Sequence, residues 1–566
     1  MLLSSKISRC RPAVRWLLYI FLTISLPSCG GIGSNTEPSN PSENLKSVLK
    51  EEVKELSLPE GVLRDSTRLH SAKEVASFYR ARRFAPAWVS IDSLHPAANS
   101  LLQIVQKATL FGLFPESYHA KSLLELKTLF DQDTVNISVE KDKEAWAKMD
   151  LLLTDAFLTM ARHLERGHLP IDSLAKDPSF STQPYLEALN KTIETQDPRS
   201  ALESFEPRSL GYRNLKKALP DFLRTADLQK QYTYLEYPFR DSVRFLRELV
   251  QRLKEENYLD STEQPLDSAA LSMVLKKVQV ARRLKADGKY GPQLVKSLNE
   301  FDQEKFMKAA INMDRYRMER DTLPARYLLV NLPAFSFTVY NDDTVVLESK
   351  VIIGKPQTPT PLLNSKMNQL IVFPTWTIPA SIIAEEILPV LKRDPGYLSK
   401  KGYRLYTFSG EEVDPWTVDW SKYQKGVPYK IVQGEGIGNA LGIMKFNFPN
   451  EHDVYLHDTN QRSLFANENR SLSHGCVRVQ NWEGLYRYVI GLDSMKAATE
   501  ARPFTPTDSV RHWLTEKKKR VIPLKNQLPI FFRYYTSAGK NGKLETYPDV
   551  YKRDGGFRRM IELARN

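Results

Sequence analysis

One cysteine and several histidines lie close together in the C-terminal third of this 566-residue chain. Cys476 lies in the run Ser473-His474-Gly475-Cys476-Val477-Arg478, and His457 lies nineteen residues upstream. A thiolate beside an imidazole is the arrangement that nucleophilic acyl transfer requires. The other two cysteines, Cys10 and Cys29, both lie in an N-terminal segment of the signal-sequence type. We therefore predict that Cys476 is a nucleophile rather than a small buried apolar residue.

Three histidines are candidates for the base that would activate this thiol. His457 follows the apolar stretch Val454-Tyr455-Leu456, so a strand would hold its ring on rigid backbone. His474 is two residues before the cysteine, and His452 follows Pro449-Asn450 in a turn that we expect to face solvent. The residues by themselves do not rank His457 over His474.

The residues around Cys476 supply the other requirements of acyl transfer. Gly475 allows close approach of a substrate carbonyl, so the N–H groups of Gly475 and Cys476 are expected oxyanion donors. Arg478 shares a face with Cys476 if the chain is extended, where it would hold a substrate carboxylate or brace the site. Two potential ligands without further clustered Cys or His argue against zinc, and we expect no metal and no cofactor.

Residues 1–29 have the three parts of an export signal. Lys6, Arg9, Arg11 and Arg15 form a positive region, and the apolar run that follows is too short to span a membrane. Leu26-Pro27-Ser28-Cys29 resembles the bacterial lipoprotein signal, in which the cysteine is lipidated and becomes the N-terminus. We expect a periplasmic protein whose membrane anchor is this lipid. Cleavage by a general signal peptidase would instead remove Cys29 and leave a soluble protein.

The overall charge is +13, from 80 basic and 67 acidic residues. Such a balance is compatible with nucleic acid, but an exported protein seldom meets it, and we expect no nucleic-acid partner. A cell-wall polymer that carries carboxylates is the better match.

Periodicity predicts an α+β protein of several domains. Apolar residues recur at three- and four-residue spacing between residues 61 and 260, and the period changes to two after residue 325. The expected divisions are a signal peptide (1–29), a flexible tether (30–60), a helical scaffold (61–260), a small helical module (261–310), a mainly β catalytic domain (325–500) with an insertion that forms a lid (about 381–440), and a C-terminal extension that completes the catalytic domain (501–566).

The small module contains Asp287-Gly288-Lys289-Tyr290-Gly291-Pro292 between two helical segments. Asp-Gly is a turn signal, and proline opens a helix without loss of a hydrogen bond. The pattern resembles the turn of the three-helix peptidoglycan-binding module. An ordinary helical hairpin is the alternative.

Two motifs together resemble a known enzyme family. Tyr455-Leu456-His457-Asp458-Thr459 and Ser473-His474-Gly475-Cys476-Val477-Arg478-Val479 are similar to the signature of the L,D-transpeptidases, which have the YkuD-type catalytic domain. The resemblance implies that Cys476 is the nucleophile and His457 the proton donor and acceptor, with His474 assisting. Phe373-Pro374-Thr375-Trp376 and Leu153-Thr154-Asp155-Ala156-Phe157, among other stretches, resemble the larger YcbB-type members.

The resemblance also implies a reaction. Cys476 would attack a tetrapeptide stem of peptidoglycan after its third residue, release D-alanine and form a thioester, which the amine of a second stem resolves as a 3→3 cross-link. Carbapenems would acylate the same cysteine. Water in place of the amine would make the protein an L,D-carboxypeptidase, and loss of activity would leave a cell-wall-binding scaffold. A papain-type endopeptidase has the same reacting atoms, but its sequence signature is absent.

Overall fold

The computed structural model describes residues 41–565 except 57, 59, 91–92, 133–138, 175, 231, 261–266, 283, 320–322 and 501. The predicted signal peptide and its Cys29 therefore lie outside the described residues. Among the helices in the described ranges, none combines the length and the apolar character that crossing a membrane requires.

The N-terminal part of the chain is helical, as its periodicity predicts. Helix α5 is at the centre of this domain, because its apolar residues from Met149 to Leu164 are buried on all sides. The helices are α1 (Pro41–Glu55), α2 (Ala72–Ala81), α3 (Pro96–Gln106), α4 (Ala120–Gln132), α5 (Val139–Arg166), α6 (Ile171–Leu174), α7 (Gln183–Thr195), α8 (Pro198–Glu203) and α9 (Leu210–Leu223).

The prediction of a flexible tether through residue 60 is wrong for residues 41–55, which form α1. Leu45, Leu49 and Val53 recur at four-residue spacing in this stretch, and all three are buried against the helical core. The polar composition of the preceding residues concealed this apolar stripe, which is the feature that folds the segment.

The small module has a different boundary from the predicted 261–310. It consists of α10 (Ser242–Glu255), α11 (Ser268–Ala281) and α12 (Pro292–Leu298), which share one core of their own. The predicted scaffold range therefore included α10, which packs with the module instead. The Asp287-Gly288 turn is fixed by Gln279, whose side chain donates to Asp287 and accepts from the Gly288 N–H.

Helix α13 (Asp302–Met318) connects the helical domain with the β domain. Its Asp314 lies 2.7 Å from Nδ1 of His168, which follows α5 of the helical domain. Its Arg315 forms a 2.7 Å ion pair with Asp554, near the C-terminus. Both carboxylates are buried, so the two domains are joined through polar pairs that are shielded from water.

The β domain is built around a sheet that closes on itself. Within the described residues it has nine strands in the order β11-β3-β12-β10-β9-β4-β13-β1-β2, and β2 also pairs with β3. Strand β13 belongs to the C-terminal extension and lies between β4 and β1. The strands are β1 (Arg326–Asn331), β2 (Ser336–Asn341), β3 (Thr344–Gly354), β4 (Leu363–Val372), β5 (Trp376–Thr377), β6 (Tyr403–Tyr406), β7 (Glu412–Val413), β8 (Lys430–Gln433), β9 (Met444–Asn447), β10 (Leu456–His457), β11 (Ser471–Ser473), β12 (Val477–Val479), β13 (Arg520–Arg533), β14 (Ser537–Lys540) and β15 (Lys543–Thr546).

The insertion, which we define as residues 376–433, is a small subdomain with its own core. Its sheet has the order β5-β8-β6-β7. Of the aromatic residues of the insertion, Trp420 packs inside this core and Trp416 is exposed. The helices of the insertion are α14 (Ala380–Ile382), α15 (Leu388–Leu391) and α16 (Tyr397–Lys400); α17 (Trp482–Thr499), α18 (Thr507–Glu516) and α19 (Asp554–Arg565) follow it.

Candidate active site

His457 ends β10 and Cys476 immediately precedes β12, and these two strands are parallel neighbours in the closed sheet. In the β10–β12 ladder, Leu456 is opposite Val477 and His457 is opposite Arg478. Side chains alternate between the two faces of a strand, so Tyr455, His457, Cys476 and Arg478 share one face while Leu456 and Val477 enter the core. Adjacent strands are about 4.8 Å apart. The fold thus brings the two predicted catalytic residues together.

The thiol of Cys476 is held by the backbone and side chain of Tyr455. Both the N–H and the hydroxyl of Tyr455 donate to the sulfur, which lies 3.8 Å from the Asp453 carbonyl oxygen. Burial raises the pKa of the Cys476 thiol, whereas the Tyr455 hydrogen bonds and the positive charge of Lys445 oppose that rise. Among the described residues the sulfur makes no hydrogen bond to His457, so the resting thiol faces Tyr455.

His457 is buried and is held as a neutral imidazole. Its Nδ1 lies 2.5 Å from the carbonyl oxygen of Asp458, which fixes Nδ1 as a hydrogen-bond donor and leaves Nε2 as the basic nitrogen. Burial and the neighbouring cations Arg478 and Lys445 lower the pKa of His457 to about 3. The resting site therefore contains a neutral thiol and a neutral imidazole rather than an ion pair.

Two cations flank His457 in one row across three strands. Lys445 on β9 is opposite His457 in the antiparallel ladder, and Arg478 on β12 is opposite it on the other side. The ammonium of Lys445 lies 3.8 Å from the centre of the Tyr455 ring, and burial lowers the pKa of Lys445. Nη1 of Arg478 donates to the side chain of Gln461 at 3.1 Å. The row concentrates positive charge where a thiolate or an oxyanion would form.

Gly475 has a backbone conformation that favours glycine, with φ of +121°. Its carbonyl accepts from Oγ1 of the buried Thr360 at 2.8 Å, and its N–H donates to Oγ of Ser473 at 3.1 Å. The Ser473 hydroxyl in turn donates to the Cys476 carbonyl at 2.6 Å. The Gly475 N–H, predicted as an oxyanion donor, thus already has an acceptor within its own loop.

His474 points toward the insertion. Its Nε2 lies 2.7 Å from Oε1 of Glu386, in the π-helical turn Ile383–Ile387. π-Helical turns are rare and are frequent at functional sites. The geometry connects the catalytic loop to the insertion, and assistance of catalysis by His474 stays a prediction.

Several residues of the site were not identified from the sequence. Trp376 on β5 donates its indole N–H to the Tyr455 hydroxyl, so the insertion also contacts the group that holds the thiol. Tyr551, from the C-terminal extension, donates to the Gly354 carbonyl at 2.7 Å and accepts from the Thr360 N–H. Lys445 had a detectable signal, because it is a charged residue between the apolar Met444 and Phe446 of a buried strand. Both Trp376 and Tyr551 are far from Cys476 in sequence; Trp376 lies in a stretch noted only for its resemblance to the YcbB-type members, and Tyr551 had no signal.

Groups of three or more His, Cys, Asp or Glu side chains placed to hold a metal ion are absent from the described part of the chain.

Comparison with protein families agrees with this arrangement. Residues 325–499 match the family model of the L,D-transpeptidase catalytic domain, YkuD. These residues form an L,D-transpeptidase catalytic domain. Residues 73–219 match a second family model, described as a scaffold domain. The expected fold, a helical scaffold followed by a mainly β YkuD domain, is confirmed, and membership of the YcbB-type subgroup stays a prediction.

Individual relatives cover parts of the chain. A Haemophilus influenzae protein described as "Putative L,D-transpeptidase" is 35% identical over 257 residues, which are 45% of this chain and 49% of that protein. The chain thus spans about half the length of this curated relative.

Two solved structures share 15% identity with this chain over 37% of its length. One is an L,D-transpeptidase from Mycobacterium smegmatis; the match covers 58% of that chain, with a TM-score of 0.18. The other is the Ldtfm-avibactam carbamoyl enzyme; the match covers 49% of that chain, with a TM-score of 0.14. Scores this low add nothing to the assignment.

Proposed function

We propose that this protein is a peptidoglycan L,D-transpeptidase that forms 3→3 cross-links through a thioester on Cys476. The observation that carries the proposal is the pairing of β10 with β12. It sets the Cys476 thiol and the His457 imidazole on one face of a domain of the L,D-transpeptidase family.

Acylation begins with the neutral thiol. The sulfur leaves its partners on Tyr455 and Asp453 and attacks the carbonyl carbon of the donor stem, while Nε2 of His457 takes the thiol proton. His457 returns this proton to the leaving D-alanine amine as the thioester forms. Because the Gly475 N–H is occupied by Ser473, we assign the oxyanion to the Cys476 N–H, with Lys445 and Arg478 supplying positive charge nearby.

Cross-linking completes the reaction. The side-chain amine of a second stem attacks the thioester and loses a proton to His457. The carbon–sulfur bond then breaks, and His457 passes this proton to the departing Cys476 sulfur, which restores the thiol. The insertion borders the thiol through Trp376 and the catalytic loop through Glu386, which supports a role in excluding water from the acyl-enzyme.

The expected location follows from the same proposal. A lipid on Cys29 would anchor the protein to a membrane facing the periplasm, and the helical domain would set the distance between this anchor and the catalytic site. Radiolabelled palmitate incorporation that disappears in the Cys29→Ala variant would test the anchor.

Muropeptide analysis tests the activity. Incubation with tetrapeptide-rich sacculi should produce 3→3 dimers, which the Cys476→Ala variant should not produce. Tripeptides that accumulate without dimers would show an L,D-carboxypeptidase instead. Sacculi left unchanged by the wild-type protein would contradict both activities and leave a cell-wall-binding scaffold.

A further inference from the structure

A pocket in the three-helix module is lined by charged and aromatic side chains that the proposed reaction does not use. Its volume is about 320 Å³, at the lower end of the range for small-molecule sites. Its lining includes Lys230, Tyr232, Arg252, Tyr258, Arg282 and Phe301. The pocket lies where the end of α10, the end of α11 and the segment before α13 meet.

Arg252 is the central residue of this pocket and is fully buried. Its Nη2 donates to the Leu298 carbonyl at 2.5 Å and lies 2.6 Å from Oε1 of Glu256. Its Nε and Nη1 have no hydrogen-bond partner within the described residues, and the nearest carboxylate oxygen to Nη1, on Glu255, is 3.9 Å away. Buried N–H groups in native proteins nearly always have an acceptor. The guanidinium therefore lacks an acceptor that a ligand in the pocket can supply.

The acidic residues of the pocket already have donors. Glu256 accepts from Arg252 and also accepts two bonds from Nη2 of Arg282, at 2.8 and 2.7 Å. Asp302 accepts from the backbone N–H of Asp227 at 3.2 Å. The polar groups without a partner are thus donors, which select an acceptor-rich, negatively charged group.

The aromatic rings define the rest of the ligand. The guanidinium of Arg252 lies 3.8 Å from the centre of the Tyr232 ring and 5.2 Å from that of Phe301. The two rings are 5.4 Å apart, so they form one apolar wall beside the charged group. Lys230, whose ammonium is 5.1 Å from the Tyr232 ring, adds a positive charge at the exposed rim.

We propose that this pocket binds a small carboxylate-bearing ligand of about the size of one sugar or one amino acid. Its carboxylate accepts from Arg252, and its body packs on Tyr232 and Phe301. The site requires no turnover at Cys476, so the proposal stands or falls separately from the transpeptidase activity. A carboxylate of this size can belong to a polymer or to a free acid, and the choice of probes distinguishes these sources.

Ligand-observed saturation-transfer NMR on the full chain can test the binding. N-acetylmuramic acid and N-acetylglucosamine have the same sugar ring and differ by a lactyl carboxylate, so they form a matched pair. We expect the acid to bind at least tenfold more tightly than the neutral sugar. D-lactate that binds as tightly as the sugar acid would show that free small acids suffice. Equal binding of the two sugars, or no binding of either acid, would overturn the proposal.

Variants locate the site. Arg252→Lys retains the charge but removes Nε and Nη1, and should weaken binding of N-acetylmuramic acid at least tenfold. Arg244→Lys is the matched control, because Arg244 lies on the same helix with an exposed side chain. Lys230→Glu should also weaken binding of N-acetylmuramic acid. Because Lys230 is exposed, this variant should fold and can test the site even if Arg252→Lys does not fold. Binding that both pocket variants leave unchanged would place the ligand elsewhere and refute the assignment.

Discussion

Cys476 is surrounded by groups that act on its protonation in opposite directions. Burial raises the pKa of the thiol, while Tyr455 and Lys445 favour the thiolate. In the resting site His457 carries no extra proton at neutral pH, because burial and two cations lower its pKa to about 3, so in the proposed reaction it holds the thiol proton only transiently. The site is therefore arranged to generate the thiolate only as the thiol reacts, which makes the resting thiol less prone to oxidation.

The first prediction concerns the nucleophile. Cys476→Ala should abolish covalent labelling by a carbapenem while the fold is retained, because Cys476 is the sole cysteine outside the predicted signal segment. Intact-protein mass spectrometry should show one adduct on the wild-type chain and none on the variant. Circular dichroism spectra should be the same for both. An adduct on the variant would reject the assignment.

The second prediction separates the two histidines. His457→Ala should slow single-turnover acylation by about 100-fold or more, the usual magnitude for loss of a general base. His474→Ala should slow it less than tenfold, because its imidazole faces Glu386 rather than the thiol. Equal losses would make the assignment of His457 as the base untenable.

The third prediction concerns how the rate of Cys476 alkylation changes with pH, and how Lys445 affects that rate. The thiol is protonated below its raised pKa, so alkylation by iodoacetamide should accelerate steadily from pH 6 to 9. No inflection is expected near pH 6.5, because His457 stays neutral throughout this range. An inflection at that pH would instead indicate a resting thiolate–imidazolium pair.

Removal of the nearby cation should move this profile. Lys445→Met should slow alkylation about tenfold at pH 7.5, because an opposite charge at short range shifts a pKa by about 1–3 units. Higher pH should restore the rate, and Lys445→Arg should retain it. Lys366→Met is the control, since Lys366 lies on β4 opposite Pro529, at the end away from Lys445. If the pH profile of alkylation were the same in Lys445→Met as in the wild type, Lys445 would have no role in activating the thiol.

At the scale of the elements, the insertion contacts the site at two points. Trp376 donates to the Tyr455 hydroxyl, and Glu386 pairs with His474 on the catalytic loop. Between these contacts the insertion has a separate apolar core, so it can move as a unit without disturbing the main sheet. This arrangement is suited to a lid that opens for the proposed stem peptides and closes over the proposed thioester.

The fourth prediction follows from this arrangement. Acylation of Cys476 by a carbapenem should reduce hydrogen exchange in residues 376–433, whereas the distant β14–β15 hairpin should not change. Trp376→Phe, which retains the ring but loses the N–H, should diminish the protection. Exchange in the insertion that acylation leaves unchanged would show a fixed packing element rather than a lid.

At the scale of the whole molecule, the catalytic and helical domains are in close contact. The β14–β15 hairpin packs on α9 so tightly that a Cβ atom at Gly539 would lie 1.9 Å from the Asn214 carbonyl oxygen. Helix α13 adds the buried pairs Asp314–His168 and Arg315–Asp554. We therefore expect the two domains to unfold together.

The fifth prediction tests this coupling. Gly539→Ala should lower the free energy of unfolding by about 1–3 kcal/mol, the usual cost of overpacking, because the backbone of α9 must shift. Gly555→Ala is the control, since nothing lies within 4 Å of its added Cβ. Thermal unfolding should show one transition at a lower midpoint for Gly539→Ala. An unchanged midpoint would mean that the hairpin docks loosely.

The sequence by itself determined the order of the domains, most strands of the catalytic sheet and the candidate pair Cys476 and His457. These features depend on local signals: the apolar period, the turn residues and a short motif with fixed spacing. The helix at residues 41–55 was missed, because its apolar stripe follows a polar stretch and becomes informative only when α5 is placed against it.

Only the tertiary structure decided what surrounds the reacting atoms. Lys445, Trp376, Thr360 and Tyr551 come from four separate segments and meet at the site because the sheet closes on itself. Their effects on the thiol and the imidazole depend on distance, burial and the direction of hydrogen bonds, which sequence spacing does not specify. The protonation states of Cys476 and His457 are therefore properties of the fold, whereas their identities are properties of the sequence.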